Sequence, residues 1–344
     1  MKKIYTFIAA TLIAATIANA TVRTVNNNGL GGAQYTDIPA AITASSNNDT
    51  IYVSGSSSNY SNFTINKRLT IIGPGSHIGG NTQNTQGVFV QNIYIDSTAI
   101  NQSSTNIKIM GIRFAYIDIS HGRNVIIERC EFYSASTNTS DCNGTYFRGC
   151  SFDRFQNNAQ ATNNPMEFSN CVYRYADYLT PNTIVNHSII IGQSYSIYWR
   201  SNGTVFTNSI FYNTNFNGGA HTACVFTNNL VYNITQTAFT LPLSGSTGSN
   251  NQAAVDPLFI STIPTNGISN WNDIFNYNWR LATTSPGDNA ASDGTDLGVY
   301  GGILAINQIG LLPAIPQVNE INIGNAAVPQ NGTLNVTFKA RKQN

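Results

Sequence analysis

Ile109-Met-Gly-Ile-Arg-Phe114, Ile127-Glu-Arg-Cys-Glu-Phe132, Phe147-Arg-Gly-Cys-Ser-Phe152 and Phe168-Ser-Asn-Cys-Val-Tyr173 are four versions of one string. Three more copies follow: Val185-Asn-His-Ser-Ile-Ile190, Phe206-Thr-Asn-Ser-Ile-Phe211 and Phe226-Thr-Asn-Asn-Leu-Val231. Each reads apolar-x-x-small-x-apolar. The fourth position runs Ile112, Cys130, Cys150, Cys171, Ser188, Ser209, Asn229, at spacings of 18, 20, 21, 17, 21 and 20 residues. Self-similarity at a near-constant period marks a solenoid. Short runs rich in Phe, Ile and Val, bounded by Gly, Asn or Ser, are strands. A period of about 20 holds three short strands and three turns, so the predicted fold is all-β, a right-handed parallel β-helix. Leucine-rich repeats share the period but need a Leu framework with a fixed Asn, which is missing.

The third position carries Gly111, Gly149, Asn170, Asn208 and Asn228. Gly and Asn best tolerate the left-handed backbone of a sharp bend, and stacked asparagines there are expected to hydrogen-bond between coils. Arg129 and His187 interrupt this column, so a change of bend geometry is expected at both. Neighbouring coils lie about 4.8 Å apart, which makes Cys130, Cys150 and Cys171 an inward stack of small reduced thiols, although that spacing also admits a disulfide. Five cysteines leave at least one unpaired, and none shows the C-x-x-C spacing of a zinc site. Cys142 and Cys224 stand outside the column and read as loop thiols.

Upstream, Ile38, Ala41 and Ile42 recur at helical spacing within residues 34–46, a helix capping the open end of the stack. Thr50-Ile-Tyr-Val53, Phe63-Thr-Ile65 and Leu69-Thr-Ile-Ile72 are strands, and Gly73-Pro-Gly75 is a turn. Beyond Pro313 and Pro316, residues 318–323 and 334–340 alternate apolar and polar as a half-buried hairpin would, around Gln330-Asn-Gly332. At the other end, Lys2 and Lys3 precede an apolar run, and Ala18-Asn19-Ala20 supplies small residues for cleavage. This is the pattern of a secretory signal, with Thr21 as the mature N-terminus. The expected organisation is therefore 1–20 signal peptide, 21–302 β-helix and 303–344 linker with a C-terminal β tail. No later run is long and apolar enough for a transmembrane segment. The expected location is secreted, or the extracellular face of a bacterial cell envelope.

Residues 33–75 resemble the first coil of the pectin-lyase-like superfamily: a capping helix, Asp49-Thr-Ile-Tyr-Val53, a Gly/Ser-rich loop and Leu69-Thr-Ile-Ile-Gly73. Asp256-Pro-Leu-Phe259, Trp279-Arg-Leu281, Ser285-Pro286 and Asp296-Leu-Gly298 resemble a C-terminal signature of bacterial choice-of-anchor β-helix surface proteins. The resemblance implies fold and export. It does not assign chemistry, because that superfamily holds lyases, hydrolases, esterases and adhesins.

Only 10% of residues are charged and the net charge is +1, which argues against a nucleic-acid partner. Polysaccharide lyases on this fold need an Arg or Lys to take the proton beside a uronate carboxylate, with acidic calcium ligands nearby. The best candidates for such catalysis are Asp118, His121, Arg123, Glu128 and Arg129, with Glu131 beside them and Arg148, Asp153, Arg154 and Glu167 on neighbouring coils. An active groove accounts for this cluster, and so does a solvated ladder of opposite charges. A polygalacturonase-type hydrolase would need an adjacent Asp-Asp pair, which is absent; Ser120-His121-Gly122-Arg123 is only a partial echo of its histidine element. His77, His187 and His221 are isolated in sequence, with a turn-supporting role favoured for His187. No cofactor is expected except a Ca2+ ion at Asp288, Asp293 and Asp296, where turn-capping competes as the explanation. Tyr173, Tyr175, Tyr178, Tyr195, Tyr198 and Trp199, beside Arg174 and Arg200, fall on two consecutive coils. Aromatic faces pack on sugar rings and Arg hydrogen-bonds hydroxyls, so this is the candidate glycan-binding face; plain packing is the alternative. The expected function is a non-catalytic, glycan-binding, adhesive or assembly role with a polysaccharide or cell-surface glycan as partner. An extracellular lyase acting on acidic polysaccharide is the competing class.

Overall fold

The computed structural model describes residues 20–29, 32–75, 87–96, 106–140, 142–158, 165–192, 200–214, 221–233, 240–264, 268, 274, 277–306, 316–324 and 328–342. The candidate signal peptide up to residue 19, and His77, lie outside these residues. The chain forms a parallel β-helix of about 8 turns with about 21 residues per turn. One parallel sheet has 11 strands, from Val22–Val25 to Thr247–Ser249, and a second has 10, from Phe63–Ile65 to Gln252–Ala253. From Thr50–Val53 to Ile189–Ile191 successive strands alternate between the two sheets, as coiling requires, and a short third pair, Ser201–Asn202 with His221–Thr222, is added in the later coils.

The repeat string maps directly onto this geometry. Its first position stacks in register along the first sheet as Ile109, Ile127, Phe147, Phe168, Val185, Phe206 and Phe226, all fully buried. Its last position stacks along the second sheet as Phe114, Phe132, Phe152, Tyr173, Ile190, Phe211 and Val231. In-register strands hold aromatic rings at the strand spacing: Phe114–Phe132, Phe132–Phe152 and Phe152–Tyr173 lie 4.9, 4.8 and 4.9 Å apart and within 5° of parallel.

The bend between the sheets is left-handed in every coil of the repeat. Gly111, Gly149, Asn170, Asn208 and Asn228 have φ of 52–60°. Arg129 (φ 51°) and His187 (φ 46°) adopt the same conformation, so the expected change of geometry there does not occur. A second left-handed column, at the entry to the first sheet, was not read from the sequence: Asn106, Asn124, Gly144, Asn182, Gly203, Ala223 and Gly245.

Beside the bend, the small fourth-position residues do more than fill space. Cys150 Sγ donates to the Ile127 carbonyl at 3.2 Å and Cys171 Sγ to that of Phe147 at 3.3 Å. Ser188 Oγ reaches Phe168 O at 3.1 Å and Asn229 Nδ2 reaches Phe206 O at 2.9 Å. Each side chain thus adds a bond to a carbonyl within a paired strand of the preceding coil, and its own buried polar atom is satisfied there. Of the bend asparagines, Asn208 bonds coil to coil, Nδ2 donating to Asn186 Oδ1 at 3.1 Å, and a longer polar ladder runs at the fourth position, with Ser188 Oγ, Ser209 Oγ and Asn229 Oδ1 accepting from backbone N–H groups of Cys171, Ser188 and Ser209. Burial pushes the Cys130 and Cys171 thiols well up, keeping them protonated. All five cysteines are free and buried. Cys142 and Cys224 do lie in the connections between strands, but buried: Cys142 Sγ donates to Ile119 O at 3.1 Å, and Cys224 immediately precedes the strand Val225–Thr227.

The N-terminal end is capped by the helix Ile38–Ala44, which buries Ile38, Ala41 and Ile42. Asp37 accepts from Ala40 N at 2.8 Å as its N-cap. At the far end of the helix Lys67 Nζ donates to the carbonyls of Ile42, Thr43 and Ser45 at 2.8–3.0 Å.

The described residues between Asp256 and Ile306 fold back over the outer face of the second sheet. There Val172, Ile189, Ile210 and Leu230 are buried under Trp279, Leu281, Leu297 and Val299, forming a second core. The bend column is the dock: Asn170 Nδ2 donates to Val299 O and Gly301 O at 3.0 and 2.7 Å, Asn208 Oδ1 accepts from Ser292 N at 2.9 Å, and His187 Nε2 lies 3.2 Å from Asp293 Oδ2. A Cβ on Gly301 would stand 2.7 Å from His187 Nδ1, so a glycine is required for this approach. The strands Pro316–Ile323 and Val336–Lys342 pair as an antiparallel hairpin. Its described apolar side chains are not half-buried as expected: Ile323, Leu334, Val336 and Phe338 are 48–65% exposed.

Candidate functional site

The strands of the second sheet do not alternate simply. Inward Phe132 and Ala135 are separated by two outward residues, Tyr133 and Ser134, and inward Tyr173 and Ala176 by Arg174 and Tyr175. Each strand therefore turns a corner, and beyond that corner no residue of its outer face belongs to the second core among the described residues. Two outward columns cross five coils there. One runs Asn92, Tyr116, Ser134, Arg154, Tyr175, and the other Tyr94, Asp118, Ser136, Gln156, Asp177. Four coil steps of about 4.8 Å give a face about 19 Å long.

Its aromatic and charged groups are interlocked. Tyr116 and Tyr133 meet edge to face at 5.6 Å, and the Arg154 guanidinium lies 5.1 Å from the Tyr133 ring centre. Arg154 also contacts Asp153 at 3.3 Å, and Asp153 pairs with Arg174, whose Nη1 donates to Ile268 O at 2.9 Å. Arg200 grips Asp177 through two bonds of 3.1 and 2.7 Å and lies 3.3 Å from the Tyr178 ring centre. Tyr175 hydrogen-bonds to Asp177; burial first, and then this carboxylate, hold its phenol far above the ordinary value, so it remains a donor. Tyr94 and Tyr116 are about two-fifths exposed, at 39% and 42%.

No protein-family model matches the chain, and no curated protein matches it.

The site residues expected from the sequence divide accordingly. Tyr173 is fully buried, stacked on Phe152 in the core, and is not a ligand group. Tyr175 and Arg200 do belong to the outer face. Tyr195, Tyr198 and Trp199 lie outside the described residues. The sequence reading missed Tyr94, Tyr116 and Tyr133; the only signal available was their outward place in strands whose corner it had not located.

The five residues grouped for lyase chemistry are spread around one coil. Asp118 is on the outer face of the second sheet, where it accepts from Ser136 Oγ. His121 sits in the turn leading to the first sheet, with a left-handed φ of 58°. Arg123 and Glu128 begin and end the strand Arg123–Glu128, a separation of about 16 Å at strand rise. Arg129 is buried in the bend, and burial lowers its pKa below the usual guanidinium value. Glu128 and the charged residues on the neighbouring strands form pairs between coils: Lys108–Glu128 and Arg113–Glu131 at 2.8 Å, and Arg148–Glu167 through two bonds of 3.1 and 2.8 Å. That is the charge-ladder arrangement.

Asp293 accepts from Thr295 N and Oγ1, and Asp296 accepts from Asn289 N, as turn-capping residues do. Among the described residues no group of three or more His, Cys, Asp or Glu side chains is placed to hold a metal ion, and no helix is long and apolar enough to cross a membrane. His221, on a short third strand pair with Ser201, accepts or donates at Nδ1 to Ser201 Oγ at 2.8 Å inside the solenoid.

Proposed function

We propose that this chain is an exported β-helix protein of the pectin-lyase-like, choice-of-anchor kind that binds a polysaccharide without cleaving it, at the outer corner face of its second sheet. The observation that carries this reading is the interlocked Tyr116–Tyr133–Arg154 and Tyr175–Asp177–Arg200 arrangement. It offers rigid aromatic surface with hydrogen-bonding groups already held in place, so little side-chain entropy remains to be lost on binding. Three arginines on and beside the face, Arg154, Arg174 and Arg200, are matched by Asp153, Asp177 and Asp118. This cancellation favours an uncharged glycan over a uronate polymer. The signal-like N-terminus and the resemblance of residues 33–75 support export to the surface of a bacterial cell envelope or beyond it.

The test is retention of the chain on insoluble cellulose, chitin and pectate. Retention on an uncharged polymer is expected, with little change between 0.05 and 0.5 M salt on the order of the screening range for exposed charges. Replacing Tyr116 and Tyr133 together by alanine is expected to weaken retention about tenfold, or about 1.4 kcal/mol, with the thermal midpoint retained within a few degrees. Unchanged retention in the double variant would remove this face as the binding site.

A further inference from the structure

We propose that the Ala20–Thr21 bond is the maturation cut, and that the α-ammonium it frees on Thr21 is bound by the buried Asp49 carboxylate, completing an ion pair that fastens the first coil. Thr21 N lies 2.8 Å from Asp49 Oδ1, and Thr21 O accepts from Thr50 N at 2.9 Å. The strand Val22–Val25 begins at the next residue and is in register with Thr50–Val53. Thr21 is thus the first residue whose backbone joins the coil, and both it and Ala20 are exposed. Asp49 is only 1% exposed, and its second oxygen accepts from Ser46 N at 2.9 Å and Arg23 Nε at 3.2 Å.

The other charged groups around this carboxylate are engaged elsewhere. Lys67 donates to the carbonyls of Ile42, Thr43 and Ser45, and Arg68 Nη1 donates to Asn48 Oδ1 at 3.4 Å. Arg23 also donates to the Tyr35 hydroxyl at 3.0 Å. Burial pulls the Asp49 carboxyl upward, but the N–H groups of Ser46 and Thr21 and the Arg23 guanidinium hold it below the usual range, so it is charged at neutral pH.

Before cleavage the Thr21 donor is a neutral amide. In the hydrolysis, performed by an export-associated peptidase, water adds to the Ala20 carbonyl carbon and the bond to the Thr21 nitrogen breaks. Ala20 keeps a carboxylate, and the amine takes the proton to become an ammonium. The existing hydrogen bond then becomes charge-assisted and stronger. The geometry selects this bond: one retained residue would move the ammonium about 3.8 Å along the chain, away from Asp49, and loss of Thr21 would remove the donor.

The test begins with intact mass and N-terminal sequencing of the chain exported by a bacterial host. A start at Thr21 is expected; a chain that starts elsewhere or remains unprocessed overturns the cut. The pair is tested by the pH dependence of α-amine acylation in two folded proteins, one starting at Thr21 and one made to start at Ala20, both retaining Asp49. An ammonium held by Asp49 has its pKa raised above about 8, so the Thr21 amine is expected to react about tenfold more slowly at pH 7.5. Equal rates would overturn the pair. In Asp49→Asn the slow reaction is expected to be lost; should that variant not fold, the comparison of the two starts still decides.

Discussion

Phe152→Ala is expected to lower the unfolding free energy by about 3–5 kcal/mol, the range for removing a buried phenylalanine without collapse of the site. Phe152 is fully buried, is stacked between Phe132 and Tyr173 at 4.8 and 4.9 Å, and tilts against Phe147 at 5.6 Å. Its backbone is fixed on both sides by parallel pairing to the strands Glu131–Thr137 and Val172–Asp177. The coils cannot close the gap without breaking that ladder, so the cavity should persist. Urea unfolding of the variant beside the parent measures the loss, and a loss below about 1 kcal/mol would contradict a rigid inward column. The same substitution at Phe338, which is 65% exposed on the hairpin, should change stability by less than about 0.5 kcal/mol, as exposed sites do.

The second large effect is acid lability from His221. Burial pushes its pKa down to about 4, from 6.5. Above pH 6.5 the ring is neutral in both the folded and unfolded chain and costs nothing. As pH falls from 6.5 towards 4, the unfolded chain binds a proton that the folded chain refuses, and stability is lost throughout that window. A shift of that size corresponds to about 3 kcal/mol. The buried carboxylate Asp49 is held below 3.8, so its own contribution is lost only at more acid pH, outside the window. Thermal unfolding between pH 7.5 and 4 should show the decline. His221→Gln should flatten it whatever its effect on stability at neutral pH, and an unaltered slope in that variant would exclude His221 as the cause.

The solenoid was legible because its determinants are local and repeated. Inward Ile, Val and Phe recur at the ends of one six-residue string, and a left-handed residue sits between the two strands. Arg129 and His187 show the limit of reading bends from residue type. Parallel pairing on either side imposes φ near 50° on both, so neighbouring coils override the local preference for Gly or Asn. The cysteine stack was placed correctly, but its work as a column of donors to carbonyls one coil away depends on contacts about 20 residues apart, which no local pattern reveals.

The candidate site was only half legible, for a geometrical reason. Tyr173 and Tyr175 are two residues apart, which in a plain strand puts both on one face. The corner of two consecutive outward residues places Tyr173 in the core and Tyr175 outside. The same corner carries Tyr116 and Tyr133 outward on earlier coils. The lyase grouping drew together residues close in sequence, whereas one coil distributes them around its circumference. Residues 94 to 177 contribute to one face only because successive coils stack in register.

The outer corner face is expected to hold a polysaccharide and leave it intact. The most direct measurement offers the mature chain a panel of uncharged and acidic polysaccharides, with and without calcium. It reads retention, the ultraviolet absorbance of unsaturated products and new reducing ends together. Retention on an uncharged glycan with neither product is the predicted result. Product released from any member of the panel would contradict a non-cleaving role and make Arg123, Arg129 and their neighbouring carboxylates the groups to substitute.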